Sequence, residues 1–188
     1  MTVQPYPLSR RSLHWLTVLL LVAAAAVGLY MTGLKLTPTK LQLYSYHKWI
    51  GITVFLIALA RLWLAYRLPA AEHPAHAAWQ QFAARQTHRA IYVLLVLIPI
   101  SGWLMSSAKG FQTVYLGVLP LPDLLAKDRE LGDLLASVHQ ALNLTLAGLV
   151  AAHVGAAIWH HFILRDGLLR RMWPAHAEKS NAIPRSPA

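Results

Sequence analysis

The stretch "SVHQALNLTLAGLVAAHVGAAIWHHFILRDG", residues 137–167, decides the fold. It is apolar and long enough to cross a bilayer core, which takes ~20 helical residues, yet it carries His139, His153, His160 and His161. An ionisable side chain in hydrocarbon is costly and is read as functional, with a partner to be sought. His139 and His153 are 14 residues apart. That is just under four helical turns, so the two share a face and lie ~21 Å apart along the axis. The stretch reads as one membrane helix with two sites at two depths.

The rest of the chain agrees. Of 188 residues 56% are hydrophobic and 13% charged, and the mean hydropathy of +0.43 is too high for a soluble domain of this size. Four apolar segments are long enough to span, at residues 13–34, 47–66, 88–107 and 138–164. The predicted fold is an all-α transmembrane four-helix bundle occupying residues 1–174, followed by a disordered cytoplasmic tail at 175–188. The "SRRSLHW" start resembles a twin-arginine signal, but the apolar run that follows continues beyond a signal core and reads as a retained span. Pro99 is expected to kink the third span. The connector at 67–86 has room for a short amphipathic helix, and the excursion at 110–136 caps the bundle. Trp15, Trp49, Trp63, Trp103, Trp159 and Trp173 sit towards span ends, as interfacial anchors do. No internal repeat and no Gly-rich phosphate loop is visible.

The net charge of +10 does not point to nucleic acid, because its distribution follows the spans. Arg10, Arg11, Arg67, Arg85, Arg89, Arg165, Arg170 and Arg171 flank one side, which the positive-inside rule makes cytoplasmic, with both termini there. The opposite connections carry Lys35, Lys40, Lys48, Lys109, Lys127 and Arg129 with four acids. The chain has no cysteine, which excludes disulfides, thiolate iron–sulfur sites, c-type haem attachment and blue-copper ligation. Any metal must be held by histidine.

Partners at matching depth exist. His47 opens the second span from the periplasmic side and matches His139, whereas His14 opens the first span from the cytoplasmic side and belongs to the inner site. Paired imidazoles from facing helices suit bis-histidine ligation of two haem b groups, with no open iron position. Zinc would require a closed four-ligand set. The inner partner of His14 has three candidates, His153, His160 and His88. A depth count favours His160, but His139 to His160 spans ~31 Å of helix, so electron transfer between the two sites favours His153. His73, His76 and His176 read as solvated, and His161 as interfacial.

The segments "LHWL" at His14, "YHKWIGI" at His47, "THRAIYVLLVLIPISGW" at His88, "SVHQALN" at His139, "AAHVGAAIWHHF" at His153 and the closing "RDGLLRRMWP" occur in the order and spacing that resembles the bacterial cytochrome b561 family. The resemblance covers nearly the whole chain to Pro174. It implies a small multi-pass cytochrome of the bacterial inner membrane, with His14 and His153 on the cytoplasmic-side haem and His47 and His139 on the periplasmic-side haem. It also suggests His88 and His160 as a quinone pocket, where an imidazole can bond a carbonyl and deliver a proton.

The family activity implied is oxidation of periplasmic superoxide with reduction of ubiquinone. A positive funnel raises encounter with a small anion, and Lys48, next to the ligand His47, is the expected catalytic cation. A second reading is an anchor subunit that passes electrons between a periplasmic redox protein and quinone in the lipid. A third is a haem-free metal-ion carrier.

Overall fold

The computed structural model describes residues 6–67 and 77–173. His73, His76, His176 and the tail at 175–188 lie outside the described residues. Four long helices follow in order: α1 (Leu8–Thr32), α2 (Pro38–Arg67), α3 (Ala78–Ala108) and α4 (Arg129–Trp159). The last continues through a π-helical turn, His160–Leu164, and a short 3-10 turn, Leu169–Arg171. All four helices are long and apolar enough to cross a membrane. Their outward positions confirm which solvent they are built for: Leu19, Val22, Leu29 and Leu144 are each more than 60% exposed. In water such a surface would drive aggregation; in lipid it costs nothing.

Each helix runs past its apolar stretch. Helix α3 begins at Ala78, so the connector's "WQQFAARQ" is part of the third helix rather than a separate short one. Helix α4 begins at Arg129, where the Asp128 carboxylate accepts from the Leu131 amide. That N-cap satisfies one of the first-turn donors. Helix α3 continues through Pro99 without interruption.

Consecutive helices pack against one another in antiparallel order. The described core is a mid-depth cluster of Val54 and Ala58 from α2, Leu94 and Leu95 from α3, and Leu146 from α4, with Leu20 and Leu21 of α1 against it. At one end, here the hairpin end, the α3–α4 connection folds into a two-stranded antiparallel hairpin, β1 (Val114–Tyr115) with β2 (Leu119–Pro120). Leu116 and Gly117, at φ 53° and 75°, make the tight turn whose twist suits a hairpin. The hairpin is tied to α2: the Trp49 indole donates to the Val114 carbonyl (2.7 Å), and the Thr53 and Tyr115 hydroxyls bond at 3.0 Å. At the other, termini end, Trp15 donates to Met172 O (2.8 Å), Arg11 to Trp173 O (2.9 Å), and the Arg171 guanidinium stacks over Tyr6. Several tryptophans therefore fasten loops to helix ends through their N–H groups, as buried indoles do.

Gly132 makes close α3–α4 packing possible at the hairpin end. A Cβ there would lie 2.7 Å from Lys109 Cγ, and Lys109 is itself held 2.9 Å from the Asp133 carboxylate. Gly132→Ala is expected to lower stability by about 1–2 kcal/mol, since overpacking displaces both groups. A thermal melt in detergent measures it, and an unchanged midpoint would contradict the packing argument.

Candidate functional site

Residues seven apart, nearly two turns, line a common seam on every helix: His14, Leu21 and Gly28 on α1; His47, Val54 and Arg61 on α2; His88, Leu95 and Gly102 on α3; His139, Leu146 and His153 on α4. They form three layers. The apolar middle layer, Leu21, Val54, Leu95 and Leu146, belongs to the core and separates two polar ones.

The hairpin-end layer holds His47 and His139, with ring centres 6.3 Å apart. Each imidazole is seated on a neighbouring helix in the same way. His47 Nδ1 lies 3.1 Å from the Ala24 carbonyl, and a Cβ on Gly28, one turn further, would come 3.1 Å from His47 Cε1. His139 Nδ1 lies 3.1 Å from the Ile98 carbonyl, and a Cβ on Gly102 would come 3.1 Å from His139 Cε1. A carbonyl only accepts, so each Nδ1 carries the proton and each Nε2 keeps its lone pair. That is the tautomer a metal needs, fixed by an outer hydrogen bond. The buried Ser101 hydroxyl adds a further contact, 2.9 Å from His139 Nδ1.

The termini-end layer holds His14 and His153 with ring centres 6.4 Å apart, His88 at 5.2 Å from His153, and Arg61. Arg61 Nη1 donates to Thr17 Oγ1 at 2.9 Å, and its Nη2 lies 3.5 Å from His14 Nδ1. The guanidinium also sits 5.2 Å from the Tyr92 ring centre. His160 lies on the π-helical turn, its Nδ1 facing Asp166 Oδ2 at 2.5 Å.

The layers relate the two helix pairs. Matching α1 to α3 and α2 to α4 carries Gly28 onto Gly102, Ala24 onto Ile98, His14 onto His88 and His47 onto His139. No repeat is visible as residue identity, yet the contacts repeat. The match breaks where His153 corresponds to Arg61.

An iron midway between two imidazoles, with metal–nitrogen bonds of ~2.0 Å on each side, sets ring centres roughly 6 Å apart. Both histidine pairs fit that spacing, and the His88–His153 pair is closer. Among the described residues no three His, Cys, Asp or Glu side chains gather to hold a metal ion. The chain matches the family model of prokaryotic cytochrome b561 over residues 5–175. It belongs to the prokaryotic cytochrome b561 family.

Cytochrome b561 homologs 2 and 1 of Escherichia coli (strain K12) are both 31% identical, covering 91% and 86% of this chain and 92% and 93% of theirs. A probable superoxide oxidase, CybB, of Yersinia pestis is 27% identical over 86% of this chain and 92% of its own. Membership makes the chain a multi-pass haem protein of the bacterial inner membrane.

Lys48 lies at the hairpin end and lines a cleft of about 280 Å³ with Ser45, Trp49, Gln112, Val114 and Gly117. Its ammonium donates to the Phe111 carbonyl at 3.0 Å. Gly28, Gly102 and Arg61 escaped the sequence reading. The glycines' signal is their 14-residue spacing from His14 and His88, and Arg61's is a charge deep inside an apolar span.

Proposed function

We propose that this chain carries electrons from periplasmic superoxide to ubiquinone through two haem b groups, one held by His47 and His139 and the other by His14 and His153. The observation that carries the reading is the pair of imidazole couples at two depths with matching ring separation. Haem with both axial positions filled supplies one-electron transfer and disfavours oxygen binding. Two superoxide anions, each losing one electron to become O2, supply the two electrons that convert one ubiquinone, with two protons, to ubiquinol. The basic residues around the termini end, Arg10, Arg11, Arg67, Arg85, Arg89, Arg165, Arg170 and Arg171, favour a cytoplasmic position for it and for both termini. The hairpin end then meets the periplasm.

Lys48 is the cation best placed to draw in superoxide. Its ammonium can offer further N–H donors beyond the one given to Phe111, and it follows His47 directly. Lys109, by contrast, is paired with Asp133. At the other end His88 and His160 serve quinone. The Asp166 carboxylate orients His160 through Nδ1, and an imidazole so placed can exchange a proton with a quinone oxygen.

The test is to mix the detergent-purified, haem-loaded protein with a defined superoxide flux and ubiquinone. Haem reduction and quinol formation that survive catalase and vanish with superoxide dismutase are expected. Lys48→Glu should slow the haem reduction about tenfold and flatten its dependence on salt. A haem-loaded protein indifferent to superoxide would overturn the superoxide assignment in favour of a periplasmic redox protein as donor. A colourless protein would overturn the haem assignment altogether.

A further inference from the structure

We infer that Arg61 biases the bundle electrically, making the termini-end site the one that holds an electron more tightly and so giving transfer its direction. The inference rests on the ligand pairs proposed above. Its starting point is the break in the correspondence between helix pairs at Arg61 and His153. The hairpin-end layer consists of Gly28, His47, Gly102 and His139, none carrying a fixed charge. The termini-end layer has three histidines and Arg61. A guanidinium keeps its proton in proteins, so this charge is permanent.

Arg61 does not behave as a charge escaping to the membrane surface. A long basic side chain near a span end ordinarily extends its head to the interface. Here the guanidinium is turned into the bundle, held by Thr17, which is only 2% exposed, and against Tyr92. Thr17 in turn donates to the Leu13 carbonyl at 2.6 Å, which fixes the anchor. Lys109 pairs with Asp133 and His160 with Asp166, and among the described residues no carboxylate forms an ion pair with Arg61. A charge kept at this cost inside a span calls for a function.

The physical effect follows from its sign. Arrival of an electron makes a site one unit more negative, and a fixed positive charge close by stabilises that state. The benefit is large where the surroundings are of low dielectric. Lys48 stands beside the other site, but its ammonium is directed to a carbonyl of the α3–α4 connection at the helix end rather than turned into the histidine layer. One electron donated by superoxide at the hairpin end therefore moves towards Arg61 and leaves by reduction of quinone at the termini end.

The experiment is optical potentiometry of the holoprotein in three backgrounds: wild type, His139→Ala to isolate the termini-end haem, and His14→Ala to isolate the other. Arg61→Gln should lower the midpoint of the haem retained in His139→Ala by at least ~59 mV, which is a tenfold change in a one-electron equilibrium. The haem retained in His14→Ala should not move. Arg61→Lys, which keeps the charge, should restore most of the difference. Equal shifts in both backgrounds, no shift in either, or failure of Arg61→Lys to differ from Arg61→Gln would overturn the inference. If Arg61→Gln does not assemble, Thr17→Val frees the guanidinium from its anchor, and the termini-end midpoint should fall; an unchanged value counts against the proposal. Should the two histidine variants not yield single-haem proteins, the ligand pairs themselves are wrong, a separate failure.

Discussion

His139→Ala is expected to cut the haem content from two per chain to one, and His14→Ala to do the same, with a different haem surviving in each case. In the proposed assignment each pair would hold one haem, so removing one imidazole would leave that group a single protein donor and a cavity where the ring had been. Haem extraction and quantification against protein measures the stoichiometry, and the low-temperature spectrum of each variant identifies the survivor. The two spectra should sum to that of the unaltered protein.

Comparison variants sharpen this result. His88→Ala should retain both haems, since the His88 and His153 rings, 5.2 Å apart, leave less room for an iron than the 6.4 Å between His14 and His153. His160→Ala should retain both as well, because His160 faces Asp166 on the π-helical turn. If His88→Ala or His160→Ala lost a haem while His14→Ala kept two, the termini-end ligand would have to be reassigned.

The spans, and the two levels on α4, could be read in advance because both depend on residue type and spacing. Apolar length identifies a membrane helix, and a 14-residue interval between histidines identifies a shared face. The true helix ends could not be read in the same way. The first turns of α3 and α4 are polar helix beyond the hydrocarbon, and an apolar run is silent about them. The seats of His47 and His139 were hidden for another reason. Their hydrogen-bond acceptors are the backbone carbonyls of Ala24 and Ile98, which every residue possesses, and their flat rings rest on glycines, which offer no chemistry to search for. The 14-residue interval occurs on all four helices, but only on α4 is it spelled by two histidines. On α1 and α3 it joins a histidine to a glycine, and on α2 a histidine to Arg61.

Those glycines carry the second large effect: Gly102→Leu and Gly28→Leu should each abolish haem binding at the hairpin end and leave the termini-end haem in place. A Cβ at position 102 already comes 3.1 Å from Cε1 and 3.4 Å from Nδ1 of His139, closer than carbon atoms pack without cost. The ring cannot retreat freely, because its Nδ1 is held by Ile98 O one turn earlier on the same helix, and Ser101 bonds it too. Leucine adds three more carbons in that space, so either the hydrogen bond or the ring position must give. Loss of such a supporting contact typically costs a metal site 10–100-fold in affinity, and steric displacement of the ring adds to that. The same reasoning applies to Gly28 and His47. The termini-end site, ~21 Å away along the helix, shares none of these contacts, and its haem should persist. Gly148→Ala is the matched control, since a Cβ there meets nothing within 4 Å. It should keep both haems and raise helix stability by about 0.5–1 kcal/mol, the intrinsic advantage of alanine over glycine in a helix. Haem content and thermal melts of the three variants separate the cases: loss of both haems in Gly102→Leu would mean general unfolding, and retention of both would mean that the His139 seat is softer than its geometry implies.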